Sequence, residues 1–252
     1  KSPCLIAPDF PIAHAAERVA QMKHLNAGQT CIAPDYVLVA KHHVEEFKLA
    51  YRRVIEAAYP NIATNPDYSS IVSDRQFQRL NEYLAQAKSM GAQVERICPG
   101  DAPAPESRVL PPTLVFDATP EMKLMQEEIF GPILPVLSYE KIEDALTLIN
   151  SYPRPLAFYH FDHQRQRTDY ILSKITAGGV TVNDCAMHFT QHDLPFGGVG
   201  ASGMGHYHGH AGFLTFTKQM PVFRQARWSG FWLLKPPYKK LADRAVAFLT
   251  RG

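Results

Sequence analysis

Residues 12–40 read IAHAAERVAQMKHLNAGQTCIAPDYVLVA. Ile12, Ala15, Ala16, Val19, Met22 and Leu25 recur at three- and four-residue spacing, which predicts a helix over Ile12–Asn26 with one apolar face. Gly28 interrupts that pattern and lets the backbone turn closely. Cys31 follows, placing a thiol just after the end of the helical segment. Tyr36-Val37-Leu38-Val39-Ala40 is then a short unbroken apolar run, as a strand buried on both faces requires. The same alternation continues on either side. Strands are expected at Cys4–Ala7, Pro111–Phe116, Ile133–Leu137, Leu156–Phe161 and Gly178–Val182. Helices are expected at Val44–Ala58, at Ser73–Met90 (Ser73 as N-cap, Gly91 closing it), at Lys141–Asn150 and at Arg165–Lys174. Strands alternating with helices predict an α/β fold, a mostly parallel sheet flanked by helices.

At 252 residues the chain can bury a large core, and a hydrophobic share of 46% with 20% charged residues is ordinary for a globular protein. No apolar run reaches the roughly 18 residues of a membrane span, and no basic-then-apolar leader opens the chain. Cys4, Cys31, Cys98 and Cys185 are far apart, without CxxC spacing, so reduced thiols and a cytoplasmic location are expected. Pro99–Glu106 reads as a surface loop rich in Pro, Ala and Gly. Net charge is only +2, and nucleic acid is not an expected partner. The charge is uneven: from Pro221 onward seven Lys and Arg face one acid, Asp243. Trp228, Phe231, Trp232, Leu233 and Leu234 lie in the same stretch. A boundary near Lys218 therefore separates a domain of residues 1–218 from a basic, aromatic C-terminal tail of residues 219–252. Such a tail suits oligomerisation through a partner subunit, with a strand near Met220–Arg224 as one contact. Peripheral contact with an acidic membrane is the less favoured reading.

A lone cysteine is more often a small buried hydrophobe than a nucleophile. Backbone N–H groups around a tight turn can lower a thiol's pKa and hold an oxyanion, which makes Cys31 the candidate. Two other patterns carry less. Gly198-x-Gly200-x-x-Gly203 has dinucleotide-loop spacing, but it follows Pro195-Phe196-Gly197 rather than a strand, and no acid stands about 20 residues further on. His206, His208 and His210 alternate as on one face of a strand, where they could bind zinc. Gly205 and Gly209 separate them, and no Cys or acidic ligand adjoins, so no metal site is expected.

Four stretches together resemble the aldehyde dehydrogenase superfamily, in order and over nearly the whole chain. They are Lys1-Ser2-Pro3, the stretch Asn26–Pro34 around Cys31, Glu127-Glu128-Ile129-Phe130-Gly131-Pro132, and the late run Leu194–Gly203. Tyr207-His208-Gly209, Gly212-Phe213 and Pro236-Pro237-Tyr238 look most like the class 3 branch, which includes bacterial coniferyl aldehyde dehydrogenases. The resemblance implies NAD(P)-dependent oxidation of an aromatic or other hydrophobic aldehyde, such as coniferyl aldehyde. The Cys31 thiolate would attack the aldehyde carbon, and the Cys31 N–H, with an Asn upstream of this chain, would hold the oxyanion. Hydride would pass to NAD or NADP, leaving a thioester that water hydrolyses.

Glu128 would then hydrogen-bond the nicotinamide ribose and Phe130 would pack beside the nicotinamide ring, where without the resemblance a solvated helix end is the simpler reading of the two glutamates. Phe196 would line the aldehyde pocket, which a core aromatic can also do. Asn183 would shape the substrate funnel, though a turn residue after a strand fits it equally. The water-activating glutamate and the main cofactor-binding domain would lie outside this chain. Three readings remain at this stage: the catalytic half of an oxidoreductase, a folded oligomerising fragment that is silent by itself, and a slow cysteine esterase, which would need a partnered histidine.

Overall fold

The structure, a computed structural model, describes residues 1–98, 100, 103–231, 236–238 and 240–250. The chain divides into two compact units, Lys1–Phe216 and Thr217–Gly252.

In the first unit β1 (Pro3–Ile6) leads through α1 (Ile12–His24) to β2 (Tyr36–Ala40), then α2 (Val44–Ala58) and α3 (Asp74–Ser89). Next come β3 (Gln93–Arg96), β4 (Thr113–Phe116), α4 (Lys123–Gln126), β5 (Ile133–Tyr139) and α5 (Ile142–Ser151). β6 (Ala157–Phe161), α6 (Arg165–Lys174), β7 (Gly179–Val182), α7 (Met187–Thr190) and α8 (Gly209–Thr215) complete it. The strands form one sheet in the order β3-β4-β5-β2-β1-β6-β7, parallel throughout except for β3 against β4. The expected α/β fold with a mostly parallel sheet is therefore what the chain adopts. Every residue of β1, β2 and β6 is buried, which is why these strands read as apolar runs. One face carries Leu5, Leu38, Val115 and Leu137 against α3, α4 and α5. The other carries Ile6, Val37, Val39 and Val136 against α1 and α2.

Two helix ends show how local chemistry sets boundaries. Ser73 caps α3, its Oγ accepting from Gln76 N at 3.4 Å, and Gly91 closes the far end at φ 97°. α1 stops at His24, short of the expected Asn26, because Asn26 and Ala27 both take φ 51°. Its last turn then buries Lys23 and His24 and leaves Leu25 58% exposed, the reverse of what the apolar spacing predicts. β3 was not expected. It is a short edge strand whose Gln93, Glu95 and Arg96 hide the β pattern, as charged edges do.

In the second unit α9 (Lys240–Leu249) is amphipathic and holds Asp243 in its first turn. Residues 220–224, where a strand is expected as a contact with a partner subunit, form no strand within this chain among the described residues. Trp232, Leu233, Leu234, Lys235, Lys239 and Arg251 of the tail, and Pro99, Asp101 and Ala102 of the expected loop, lie outside the described residues. Among the described residues no helix is long and apolar enough to cross a membrane.

Candidate active site

Cys31 lies on a turn before β2, at the amino edge of the sheet; Asp35, just beyond it, donates its N–H to Ser2 O at 2.8 Å beside the start of β1. Of the four cysteines, all of them unpaired, Cys31 is the exposed one. The turn is built by Asn26, Ala27 and Gly28, three successive residues at positive φ. A Cβ on Gly28 would sit 2.4 Å from Gly131 O, so only glycine lets this turn meet the Glu127–Pro132 segment. Buried Gln29 locks the turn from the other side. Its side chain donates to Asn26 O and Ser70 O, both at 3.1 Å, and accepts from Val72 N at 2.8 Å. The thiol is thus presented on a pinned backbone rather than from a helix end.

The segment carrying Glu128 and Phe130 is pinned as well. Lys1 Nζ bonds Asp35 Oδ2 at 2.8 Å and donates to Leu124 O and Glu127 O, each at 2.7 Å. Asp35 Oδ1 accepts from Ile129 N at 3.1 Å. Phe130 adopts φ 52° and stands 37% exposed. Glu128 reaches solvent, yet packing around its carboxyl, helped by the charge of Asp35, raises its pKa above the ordinary carboxylate range. Behind it Lys23 is fully buried, and that burial lowers its pKa to about 8 against the opposing pull of Asp35. The segment is indeed a helix end, as the simpler reading had it, since α4 stops at Gln126; it is also an ordered one.

Phe196 centres an aromatic cluster. Its ring lies 5.1 Å from Phe189, 5.5 Å from Tyr207 and 6.0 Å from His188. Tyr159 connects this cluster to the thiol turn. Its ring is 6.3 Å from His188, and its hydroxyl donates to the carbonyl of Ile32, the residue after Cys31. Asn183 lies at the carboxyl end of β7, two residues from Thr181, whose Oγ1 bonds His188 of this cluster at 2.7 Å; the Asn183 Oδ1 accepts from Asp162 N at 2.7 Å and its φ is 62°. It joins the ends of β6 and β7 there, the turn role that the simpler reading of this residue predicts.

Gly198–Gly203 forms a short 3₁₀ turn with no strand before it and no long helix after it. His206, His208 and His210 do not share a strand: His208 precedes α8 at φ 79° and His210 lies within that helix. No grouping able to hold a metal occurs among the described residues. Residue patterns alone missed Lys1, Lys23, Asp35, Arg79 and Tyr159. The available signal was weak, a lysine on the apolar side of α1 and an acid directly before a buried strand.

A thiol so presented, beside an ordered carboxylate segment and an aromatic cluster, suits a cysteine nucleophile on an α/β scaffold. The family model described as Aldehyde dehydrogenase family matches residues 1–222, and the chain belongs to that family. A probable coniferyl aldehyde dehydrogenase of Pseudomonas aeruginosa is 48% identical over 246 residues, 98% of this chain and 51% of that protein. A substrate-bound AldH structure from Staphylococcus aureus superposes with a TM-score of 0.82 at 38% identity, over 99% of this chain and 53% of its own. An aldehyde dehydrogenase of Mycobacterium tuberculosis, solved with NAD⁺, gives a TM-score of 0.78 at 26% identity, over 91% of this chain and 47% of its own. The chain spans about half the length of the curated relatives it matches.

Proposed function

We propose that this chain is the catalytic half of an NAD(P)-dependent aldehyde dehydrogenase acting on an aromatic or other hydrophobic aldehyde, coniferyl aldehyde being the leading candidate. The observation that carries the reading is the exposed Cys31 thiol on a turn locked by Gly28 against the Glu127–Pro132 segment. Family membership supports the reaction, the name of the Pseudomonas relative supports the substrate class, and the NAD⁺ in the Mycobacterium structure supports the cofactor.

In this reading the Cys31 thiolate attacks the carbonyl carbon, and the carbonyl electron pair moves to oxygen. Backbone N–H groups of the pinned turn, that of Cys31 among them, stabilise the oxyanion without reorganising. The thiohemiacetal carbon gives up hydride and becomes a thioester of Cys31, and water releases the acid. Hydride acceptance is the chemistry that a bound nicotinamide supplies. Glu128 and Phe130 suit that group: a carboxylate for the ribose hydroxyls, and an exposed ring beside the nicotinamide. Phe196, Phe189 and Tyr207 offer aromatic faces to the substrate. Asn183 keeps the β6–β7 corner that carries the Phe196 loop. Among the described residues no histidine hydrogen-bonds the Cys31 thiol, which favours the dehydrogenase over a cysteine hydrolase.

The 252-residue chain alone then reduces no NAD(P)⁺. We assign it to the cytoplasm as a homo-oligomer joined through residues 219–252. The testing experiment is intact mass after a short pulse of a thiol-directed aldehyde mimic, with and without Cys31→Ala. Fast single labelling that the variant abolishes is expected. Slow labelling shared among all four cysteines would count against Cys31 as a nucleophile activated within this chain.

A further inference from the structure

We infer that Arg79 is a positioning residue for Glu128. This rests on the reading of Glu128 as a ribose-binding carboxylate. Arg79 projects from α3. Its Nη1 donates to Glu128 O at 3.1 Å and its Nη2 to Ile129 O at 2.5 Å. In extended backbone successive carbonyls point to opposite sides. One guanidinium fork can reach two in succession only where the chain is bent, and Phe130, the next residue, takes the left-handed φ of 52°. A phenylalanine there is strained and persists only where its surroundings hold it. Arg79 supplies that hold from one side; Asp35 Oδ1 on Ile129 N and Lys1 Nζ on Glu127 O supply it from the other.

The guanidinium is itself oriented. Nε donates to Gln76 Oε1 at 2.6 Å, and Nη1 also donates to Tyr83 OH at 3.0 Å. The cation stacks 4.9 Å from the centre of the Tyr83 ring, while the Tyr83 hydroxyl donates to the Glu127 carboxylate. Glu127 is thus tied back to α3, and the Glu128 carboxylate is the one left to project from the bend. Lysine can reach one of the two carbonyls but not fork across both.

The test uses the complete enzyme and compares Arg79→Met, Arg79→Lys, Glu128→Gln and the Arg79→Met/Glu128→Gln double variant. Binding of the reduced cofactor is read by fluorescence titration, KM and kcat by steady-state rates, and Cys31 by its labelling rate. Arg79→Met is expected to weaken cofactor binding about tenfold, in line with two lost charge-assisted hydrogen bonds. KM should rise by a similar factor, kcat should change less, and Cys31 labelling should hold. Arg79→Lys should recover part of the loss. The double variant should bind no more than about twofold more weakly than Glu128→Gln, because both changes remove one interaction. Native-like binding by Arg79→Met beside weakened binding by Glu128→Gln overturns the role of Arg79 and leaves Glu128 standing. Native-like binding by Glu128→Gln overturns the underlying reading, and this inference with it. Additive losses in the double variant, or Cys31 labelling that falls in parallel, also overturn it. Should Arg79→Met fail to fold, Arg79→Lys carries the same comparison.

Discussion

A methyl group at Gly28 has nowhere to go. Its carbon would meet a backbone carbonyl oxygen at 2.4 Å, in a residue already at φ 74°. Left-handed backbone alone costs an L-residue about 1–2 kcal/mol. Gly28→Ala should therefore destabilise the protein by about 2 kcal/mol or more and slow Cys31 labelling, read by urea unfolding and intact mass. An unchanged midpoint with unchanged labelling would mean that the turn is not locked. Lys23 yields a pH-dependent prediction. It titrates near 10.5 when unfolded and near 8 when buried. Between those values the unfolded chain holds a proton that the native chain has released, so stability rises with pH across that window. Below it the penalty for burying the charge is present in full. The rise amounts to about 3 kcal/mol at most. Lys23→Met should lack it, and a variant that rises like the native chain would show that Lys23 does not titrate there. The exposed turn that presents Cys31 was legible in the sequence because Gly28 and its small neighbours lie within a few residues of the thiol. Lys23, Asp35 and Arg79 were not, because charged side chains normally mark a solvated face and their contacts lie far away in sequence, as with Arg79 and Glu128, 49 positions apart.

Elements were legible where burial shaped composition. The central strands β1, β2 and β6 are apolar because both faces are covered, whereas β3 at the edge carries charges and was invisible to the same reasoning. The join between β6 and α6 was equally hidden. Arg167 bonds Asp162 through Nε at 2.6 Å and Nη2 at 2.7 Å and also reaches Asp9, while the Asp162 side chain is fully buried. Burial pushes the Asp162 carboxyl up, and the Arg167 bonds outweigh it, so the group ends below the ordinary value. Arg167→Met removes the cation from a buried carboxylate, leaving it the Gln164 N–H at 2.7 Å and the His160 ring at 3.3 Å, and should cost about 3 kcal/mol at neutral pH. The deficit should shrink as pH falls through the acid range, because the native contribution is lost when Asp162 takes up a proton. Arg165→Met serves as the control. Its partner Asp169 is one helical turn away on an exposed face, and the change should stay within about 0.5 kcal/mol. Equal losses in the two variants, measured by urea unfolding, would remove the buried pair from the account of this corner.

At the scale of the molecule, each unit leaves apolar side chains in water. In Lys1–Phe216 these include Met204, 96% exposed, and Phe216, 89% exposed; in the tail unit they include Phe223, Trp228 and Phe248, with Trp228 at 92%. Exposed apolar surface on this scale marks a place where another surface is meant to lie. Arg224, Arg227, Lys240 and Arg244 interleave with these side chains in the tail. Aromatic and Arg-rich composition is that of a protein interface, and residues 220–224 take no regular secondary structure of their own. The purified 252-residue chain should therefore sediment as an oligomer at micromolar concentration, and removal of residues 217–252 should shift it to a smaller species. Raising the salt should weaken the association only modestly if the aromatic side chains dominate, and strongly if the basic ones do, since exposed charges are screened over about 10 Å at 0.1 M salt. A clean monomer from the intact chain would refute tail-mediated assembly. An oligomer indifferent to the deletion would move the contact into the first unit, to the apolar surface around Met204 and Phe216.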